Sequence, residues 1–258
     1  MRRLGIDEIA LRKGHGNFIV ILVDLDISKP IAFVKFRKQL DMREVLANWG
    51  TKVLEQISEV SMDMSGNYKG LVTDLLPNAA ITVDRFHVMK LVNQELDQAR
   101  RAVNKAVENL PHETEKAQVK ASLHHSKYVL LKSEADLTQE QRFKLESLQQ
   151  VSPTLKRMHR LKQDFREIFE TCQTWGDGTL RLLDWLVSAQ ADFKKSVGTI
   201  TRWFGEIVGY FEQGTNNGIV EGINNKLKLI KRSGYGFRNF NNFQLRSLIC
   251  WHFNTDIA

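Results

Sequence analysis

Cysteine is scarce in this sequence of 258 residues, which contains only Cys172 and Cys250. The two residues lie far apart and no CxxC pair occurs, so neither a thiolate zinc site nor a disulfide framework is expected. This usage is typical of a reduced intracellular compartment. We expect both thiols to pack as small apolar side chains.

Long apolar segments are also missing. The longest run, FIVILV, is much shorter than the roughly 18 residues that a membrane span requires. The amino-terminal segment MRRLGIDEIA lacks the apolar stretch of a secretory signal peptide. Neither a repeat nor a disordered tract is visible, so we predict a folded cytoplasmic protein with no membrane partner.

The overall composition allows a sizeable core and favours an anionic partner. Hydrophobic residues make up 42% of the chain, enough for one large domain or for a domain that carries an insert. No serine or cysteine nucleophile motif is recognisable. The formal net charge of +7 favours a polyanion as partner, although the charge alone does not establish one.

The first 85 or so residues alternate between strand and helix patterns. Apolar, β-branched runs predict strands in RRLGIDEIAL, NFIVILVDLD, KPIAFVKF, SEVSMD and AITVDRFHV. Helical spacing predicts one helix over DMREVLANWGTKVLEQI, with Asp41 as its N-cap, and another over GNYKGLVTDLLPNA that Pro77 ends. This order of elements predicts an α/β fold with a mixed sheet.

From about residue 88 to 213 the pattern is helical throughout. Amphipathic segments rich in lysine and arginine follow one another, and Thr138 and Pro153 mark the starts of two of them. The segment FKKSVGTITRWFGEIVGYFE is predicted as one helix. After it, a Gly/Asn cluster at 214–218 predicts a loop, which is followed by a helix, a basic glycine-rich turn and a final helix.

Three acidic residues each lie at or near the end of a predicted element. Asp7 lies in the first strand, Asp63 ends the SEVSMD strand, and Glu221 falls in the first turns of the helix after the loop. Magnesium is held by carboxylates together with substrate phosphates, and two ions about 3.5–4 Å apart can act on one phosphodiester. Taken singly, each acid is more commonly a turn residue, a helix cap or a complement to the helix dipole.

The segment VDRFH places Asp84 and His87 at the end of the last predicted strand. They are explained either as neighbours of a metal or phosphate site or as a structural contact of Asp84 with an arginine or histidine. By contrast, we expect Glu8, Asp24 and Asp26 to face solvent or to cap turns.

Four segments carry a resemblance to a known family: GIDE, VSMDMSGNY, LPNAAITVDRFHVMKLVN and VEGINNKLKLIKRSGYGFRNFNNFQLR. Together they resemble the DDE transposases of bacterial insertion sequences, ISL-three type, over nearly the whole chain. The resemblance implies a ribonuclease-H-like core in which two aspartates and a glutamate bind two Mg²⁺ or Mn²⁺ ions. It also implies that the partners are DNA, as transposon ends and target, and further copies of the chain in a homo-oligomer, at the bacterial nucleoid.

The resemblance also implies roles for individual acids. Asp7, Asp63 and Glu221 correspond to the catalytic acids and metal ligands, and Asp84 and His87 to auxiliary residues. Asp84 competes with Asp63 for the second position. Asp63 is preferred because it follows the fourth predicted strand, where this fold keeps its second acid.

The long separation of 158 positions between Asp63 and Glu221 is consistent with an insertion before the last catalytic helix, as the resemblance implies. The expected parts are then 1–87 as the first part of the catalytic core, 88–213 as a large all-helical insertion, and 214–258 as the completion of the core.

A basic segment, KLKLIKRSGYGFR, follows Glu221. Its cations would contact phosphates, and its aromatic residues would stack on an unpaired DNA end. A solvated basic helix face over a core of aromatics would give the same pattern. The candidate DNA-binding residues are Lys226, Lys228, Lys231, Arg232, Tyr235 and Arg238.

Relatives in this family begin with a zinc-binding segment and a helix-turn-helix that read the transposon ends. This chain starts almost at the first catalytic strand, so we expect it to be truncated. Two alternatives to a strand-transferring transposase follow: a structure-selective nuclease of the same fold, or a non-catalytic, DNA-binding remnant.

Overall fold

The residues that the computed structural model describes are 1–11, 18–213 and 218–252. The chain divides into two compact units. One comprises Met1–Asp84 together with Gln213–Ala258, and the other comprises Arg85–Glu212. The first unit is built on a sheet, and the described residues of the second are helical apart from their connections.

The sheet of the first unit has five strands: β1 (Arg3–Ala10), β2 (Phe18–Asp24), β3 (Lys29–Val34), β4 (Glu59–Met62) and β5 (Ala80–Val83). Their spatial order is β3-β2-β1-β4-β5. Strand β2 pairs antiparallel with β1 and β3, whereas β1, β4 and β5 run parallel. The prediction of an α/β fold with a mixed sheet is confirmed, and the sheet is compatible with a ribonuclease-H-like core.

The helices among these strands are α1 (Gln39–Ala47), α2 (Thr51–Leu54) and α3 (Gly66–Leu75). The prediction of one helix capped by Asp41 is wrong: α1 begins at Gln39, and Lys38 is its N-cap. Asp41 instead lies in the first turn, where its charge complements the helix dipole. The helix is interrupted because Gly50 adopts φ +79°, which glycine tolerates since it has no Cβ.

The second unit contains α4 (Arg85–Ala106), α5 (Glu113–Leu123), α6 (Ser126–Leu131), α7 (Gln139–Val151), α8 (Pro153–Thr171), α9 (Trp175–Ala189), α10 (Lys194–Arg202) and α11 (Phe204–Gln213). Short 3₁₀ turns cover Val107–Asn109 and Glu134–Asp136. Two predicted starts are confirmed: Thr138 forms a capping box with Gln141, and Pro153 opens α8. Helix α8 is central, since it contacts α4, α7 and α9.

Two predictions about this helical unit are wrong. Helix α4 begins at Arg85, so His87 lies in its first turn and not at the end of a strand. The buried side chains of Val88 and Val92 start an apolar stripe that the helix places against its neighbours, which favours helix over strand. The predicted single helix after residue 193 ends at Arg202, because the backbone of Trp203 leaves the helical conformation and separates α10 from α11.

A charged side chain lies in the middle of this unit. Lys162 of α8 is 0% exposed, and its Nζ donates hydrogen bonds to the carbonyl oxygens of Leu130 (2.9 Å) and Lys132 (2.7 Å). These carbonyls belong to the end of α6, where no further helical N–H is available to them. Burial, together with the charge of Arg166, lowers the pKa of Lys162 to about 7. Lys162 therefore caps the end of α6, but burial of its charged amine is unfavourable and makes the amine easier to deprotonate.

The chain returns to the first unit with α12 (Gly218–Ser233) and α13 (Phe240–His252). Helix α12 buries one stripe, Val220, Ile223, Leu227 and Ile230, at the spacing of an amphipathic helix. This stripe packs on the β2 side chains that point to the same face, and on Phe243 of α13. Most of the predicted loop at 214–218 lies outside the described residues.

None of the helices in the described part of the chain is both long and apolar enough to cross a bilayer.

Candidate active site

The register of the parallel strands aligns three aspartates. Strand β1 pairs Gly5 with Ser61 of β4, the last pair of that ladder, and the same register continued by two residues would bring Asp7 level with Asp63. Strand β4 pairs Met62 with Val83 of β5, and the next N–H, that of Asp84, donates to the carbonyl of Met62 at 2.9 Å. Neighbouring strands lie about 4.8 Å apart. Asp7, Asp63 and Asp84 therefore form one row across the sheet, at the carboxyl ends of β4 and β5.

The row faces the side of the sheet that α12 covers. Side chains alternate along a strand, so Asp7 shares its face with Gly5. A Cβ on Gly5 would lie 3.2 Å from Cγ2 of Val220 and 3.1 Å from Cδ2 of Leu25. The glycine thus lets the first turn of α12 approach β1 two residues before Asp7. The sequence signal for this approach is a glycine in the interior of a strand.

The carboxylate of Asp7 accepts hydrogen bonds from its own strand and from α12. Its Oδ1 accepts the backbone N–H of Glu8 at 2.7 Å, and its Oδ2 accepts a hydrogen bond from the side-chain amide of Asn224. Asn224 lies on α12, one turn after Glu221, and residues at this spacing share a helix face. Sequence reasoning missed Asn224, although the Asn-Asn pair at 224–225 of the motif contains it.

Glu221 is exposed and lies in the first turn of α12. Its helix is the one that contacts β1 at Gly5 and Asp7. Nevertheless, within the described ranges no three His, Cys, Asp or Glu side chains converge closely enough to hold a metal ion. The structure thus brings three aspartates to one edge and the helix of Glu221 over it, without a closed cluster of ligands.

Polar groups continue below the row on the same face. Glu59 of β4 is 2% exposed and Thr82 of β5 is 2% exposed, and the Thr82 hydroxyl donates to Oε1 of Glu59 at 3.1 Å. Ser61, between Glu59 and Asp63, is also buried. Buried polar side chains on two adjacent strands are costly unless they are hydrogen-bonded. This part of the sheet is therefore built for polar contacts and not for an apolar layer.

Three other acids were expected to face solvent or cap turns, and this is correct for two of them. Oδ1 of Asp24 accepts the N–H of Asp26, and Oδ2 of Asp26 accepts the N–H of Arg2 at 2.6 Å. Glu8 instead points away from α12, where Oε1 accepts the hydroxyl of Tyr68 from α3. Burial, and then the Glu8 contact, raise the pKa of Tyr68 above its usual value.

Of the auxiliary residues, Asp84 is buried at the end of β5, whereas His87 belongs to the helical unit.

The basic residues predicted to contact DNA divide into two groups. Lys228, Arg232, Tyr235 and Arg238 are exposed, and Tyr235 projects entirely into solvent from a left-handed backbone at φ +51°. Their exposure leaves them accessible to a ligand.

Two lysines of the same segment make internal contacts. Nζ of Lys231 donates to the carbonyl of Ala10 at 2.9 Å, and burial, followed by the charges of Lys228 and Arg232, lowers its pKa. Nζ of Lys226 donates to the carbonyl of Cys250 at 3.0 Å and lies 4.2 Å from the ring centroid of Trp251. Both amines help to hold α12 in place.

The donor set of the row fits a hard divalent cation. All its members present carboxylate oxygens, which suit Mg²⁺ and Mn²⁺, and the row contains no thiolate that would favour zinc. Magnesium commonly takes only one or two protein carboxylates and completes its shell with water and substrate phosphates. A pair from adjacent strands, such as Asp7 and Asp63, meets that requirement.

Comparison with known proteins identifies the class to which this fold and site belong. A family model described as transposase, of the ISL3-type DDE group, matches residues 4–247. The chain therefore belongs to the ISL3 family of DDE transposases. The resemblance seen in the sequence is thereby confirmed.

Curated relatives are insertion-sequence transposases. The chain is 27% identical over 256 residues to the transposase for insertion sequence element IS1557 of Mycobacterium tuberculosis, covering 93% of this chain and 57% of that protein. It is 25% identical over 251 residues to the transposase for IS1001 of Bordetella parapertussis, covering 94% and 59%. The chain thus spans less than two thirds of the length of these relatives.

A shorter similarity is to a Lactococcus lactis protein named ATP-dependent protease, 31% identical over 98 residues. It covers 38% of this chain and 31% of that protein, too little to indicate a shared function. No solved structure matches the chain.

Proposed function

We propose that this chain is the catalytic part of an insertion-sequence transposase, which cuts DNA strands and joins transposon ends to a target in a reaction that needs divalent metal. The observation that carries the proposal is the row of Asp7, Asp63 and Asp84 on parallel strands, with α12 packed over Asp7. The family membership supports the same reaction class.

Asp7, Asp63 and Glu221 are the residues proposed to hold the metal, with Asp84 and His87 as auxiliary groups. When bound, two Mg²⁺ or Mn²⁺ ions would activate the attacking oxygen and neutralise the leaving one. Asn224 keeps one carboxylate oxygen of Asp7 fixed, and the N–H of Glu8 keeps the other. Fixing the carboxylate before substrate arrives reduces the reorganisation that the reaction requires.

The division of the chain follows from the same proposal. The catalytic core would consist of 1–87 and 214–258, and the helical residues 88–213 would be an insertion before the helix that carries Glu221. Both acid-bearing parts belong to one compact unit, which supports this reading.

DNA is the proposed partner, as transposon ends and target, and further copies of the chain would complete a homo-oligomer on it. The exposed cations Lys228, Arg232 and Arg238 would contact phosphates, and Tyr235 would stack on an unpaired base. Lys226 and Lys231 would contribute to DNA binding mainly by holding α12, given their internal hydrogen bonds.

Replacing the acids one at a time tests this proposal and decides between Asp63 and Asp84. We expect Asp7→Asn, Asp63→Asn and Glu221→Gln each to lower the rate of Mn²⁺-dependent nicking of supercoiled plasmid about 100-fold or more, equivalent to about 2.7 kcal/mol of transition-state stabilisation. Asp84→Asn should retain more activity than Asp63→Asn. The reverse order would assign the second acid to Asp84.

Asp74→Asn is the matched control, since Asp74 is an exposed aspartate on α3 that forms an ion pair with Arg43, away from the proposed ligands in sequence. A second measurement does not depend on turnover: Mn²⁺ should raise the melting temperature of the unaltered chain and of Asp74→Asn, and raise that of Asp63→Asn less. Nicking that survives in Asp7→Asn and Asp63→Asn alike would refute the proposed site.

A further inference from the structure

A groove of about 840 Å³ opens in the first unit. Lys35, Phe36, Arg37 and Lys38 line it from the connection between β3 and α1. Arg238, in the connection between α12 and α13, and Phe240, at the start of α13, also line it. Two connections about 200 residues apart in sequence thus form its walls.

The groove lies at the same end of the sheet as the aspartate row. Strand β3 runs in the direction of β1, because each pairs antiparallel with β2, so its carboxyl end is at that edge. Ile19, which lines the groove, pairs with Ile9, two residues after Asp7. At about 3.3 Å per residue, Ile9 lies roughly 7 Å further along β1 than Asp7, and Ile19 lies across from Ile9 at the strand spacing of about 4.8 Å.

The charges of the groove fit a polyanion. Four of its lining residues are cationic: Lys35, Arg37, Lys38 and Arg238. The Arg37 guanidinium lies 3.5 Å from Oε2 of Glu8 and 4.9 Å from the ring centroid of Phe18, so it is held in place from below. The lysines carry flexible ammonium groups that can follow a phosphate backbone.

Phe36 gives the groove an aromatic surface. It is 50% exposed, although a phenylalanine gains free energy by burial. The Nζ atoms of Lys35 and Lys38 lie 5.3 Å and 5.9 Å from its ring centroid. Proteins that bind single-stranded nucleic acids use exposed aromatic rings flanked by cations. The bases stack on the ring and the phosphates contact the positive charges.

We propose that this groove binds an unpaired nucleotide of DNA next to the reactive phosphodiester, with its base on Phe36 and its phosphates on Lys35, Lys38 and Arg238. Its volume lies in the range of small-ligand pockets, about 300–1,000 Å³, a size suited to one or two nucleotides. The inference rests on the proposed function for the identity of the nucleic acid, but the groove itself is independent of the acids.

Binding of a fluorescent single-stranded oligonucleotide, followed by anisotropy in EDTA, tests the aromatic contact. Phe36→Ala should weaken binding about tenfold, within the range measured for loss of one stacked base. Phe143→Ala is the control, because Phe143 is also exposed, at 60%, but lies on α7 of the helical unit. Equal affinities of the two variants would overturn the proposal, provided that both keep the melting temperature of the unaltered chain.

A double-mutant cycle that combines Phe36→Ala with removal of a base from the oligonucleotide distinguishes loss of stacking from a change in the shape of the groove. A series of oligonucleotides, each with one base removed, should include a position at which removal weakens binding to the unaltered chain but not to Phe36→Ala. If base removal has the same effect on both proteins at every position, Phe36 does not stack on a base. RNA bound more tightly than DNA of the same sequence would contradict the proposed DNA ligand.

The salt dependence of binding tests the phosphate contacts. Each lysine that neutralises a phosphate contributes about 0.7 to the slope of log affinity against log salt for a single strand, so Lys35→Gln with Lys38→Gln should lower that slope by about 1.4. Lys52→Gln is the control, since Lys52 is exposed on α2 outside the groove. An unchanged slope in the double variant would exclude the lysine contacts.

These measurements fail separately from those on the proposed function. They are made without divalent metal, so they do not depend on metal binding by the acids. If nicking is lost but this binding is kept, the result bears only on the proposed metal ligands. If Phe36→Ala binds normally, the proposed nucleotide site in the groove is refuted and the proposed metal site is not affected.

Discussion

Asn224 illustrates how a single side chain connects α12 to the sheet. Its amide donates to Oδ2 of Asp7 and so restrains rotation of the carboxylate. A hydrogen bond to a charged group contributes about 1.5–3 kcal/mol. The contact can therefore keep the carboxylate in one orientation, as a metal ligand requires.

We expect Asn224→Ala to lower Mn²⁺-dependent nicking about tenfold, the lower end of the usual effect of removing a group that orients a ligand. Asn225→Ala is the control, because Asn225 is the exposed neighbour on the same helix. Metal titration of the two variants provides the measurement, and a larger metal requirement only in Asn224→Ala indicates lost orientation. Identical titrations would show that Asn224 serves only to pack the helix.

Lys162 gives the helical unit a dependence of stability on pH. Its pKa is about 7 in the folded chain, against an ordinary 10.5, because it is buried. Below pH 7 the amine is protonated in both states and the cost of burying the charge is complete. Between pH 7 and 10.5 the unfolded chain binds more protons than the folded one, so this residue makes the free energy of unfolding rise with pH.

Comparison of Lys162→Met with Lys156→Met tests this dependence, because Lys156 is an exposed lysine on the same helix. Urea unfolding at pH 7 and pH 9 should show a rise in the free energy of unfolding in the chain with Lys156→Met. The rise should be smaller in Lys162→Met, by up to about 1.4 kcal/mol for each pH unit. The same rise in both variants would show that Lys162 titrates normally.

At the scale of elements, the contact of α12 with β1 depends on a missing side chain. Gly5 leaves room for Val220 and Leu25, which a Cβ would meet at 3.2 Å and 3.1 Å. Contacts this close require a core residue or the helix to move, and overpacking of this kind costs about 1–3 kcal/mol. The helix that would move carries both Glu221 and Asn224.

Gly5→Ala should accordingly lower the free energy of unfolding by about 1–3 kcal/mol and reduce nicking activity as well. Gly70→Ala is a suitable contrast, because a Cβ there would meet only the side chain of Gln39 at 3.7 Å, within helix α3. That change should be neutral or stabilising by up to about 1 kcal/mol, since alanine favours the helix. Thermal and urea unfolding of both variants decide the matter; destabilisation of Gly70→Ala alone would contradict this account of the contact.

Elements were predictable where the signal is local. Thr138 and Pro153 mark helix starts by their own chemistry, and the run at β2 is apolar enough to identify a buried strand. The interruptions at Gly50 and Trp203 were missed, because each is a single departure within a pattern that otherwise continues to be helical. Asp41 was mistaken for a cap because an aspartate suits the first turn as well as the N-cap.

For the whole molecule, a transposase and a nuclease of the same fold differ in one product. Supplied with pre-cut DNA ends and a target plasmid, the chain should form joined product in Mn²⁺ if it transfers strands. Nicking without joining would identify a nuclease, and DNA binding without nicking or joining would identify a remnant without catalysis. Gel analysis of labelled ends measures all three outcomes, with Asp7→Asn as the inactive reference.

The sequence by itself determined the fold class, the family and the kinds of residue that the chemistry would use. Periodicity, capping and motif order are properties of neighbours in the chain, so they can be read without coordinates. Tertiary structure alone decided which groups meet. Strand register aligned Asp7, Asp63 and Asp84, and long-range packing joined Asn224 to Asp7. Packing also gave Lys226 and Lys231 hydrogen-bond partners inside the unit, and it placed Phe36 and Arg238 in the lining of one groove. Contacts between distant segments depend on strand register and side-chain volume, which no local sequence pattern encodes.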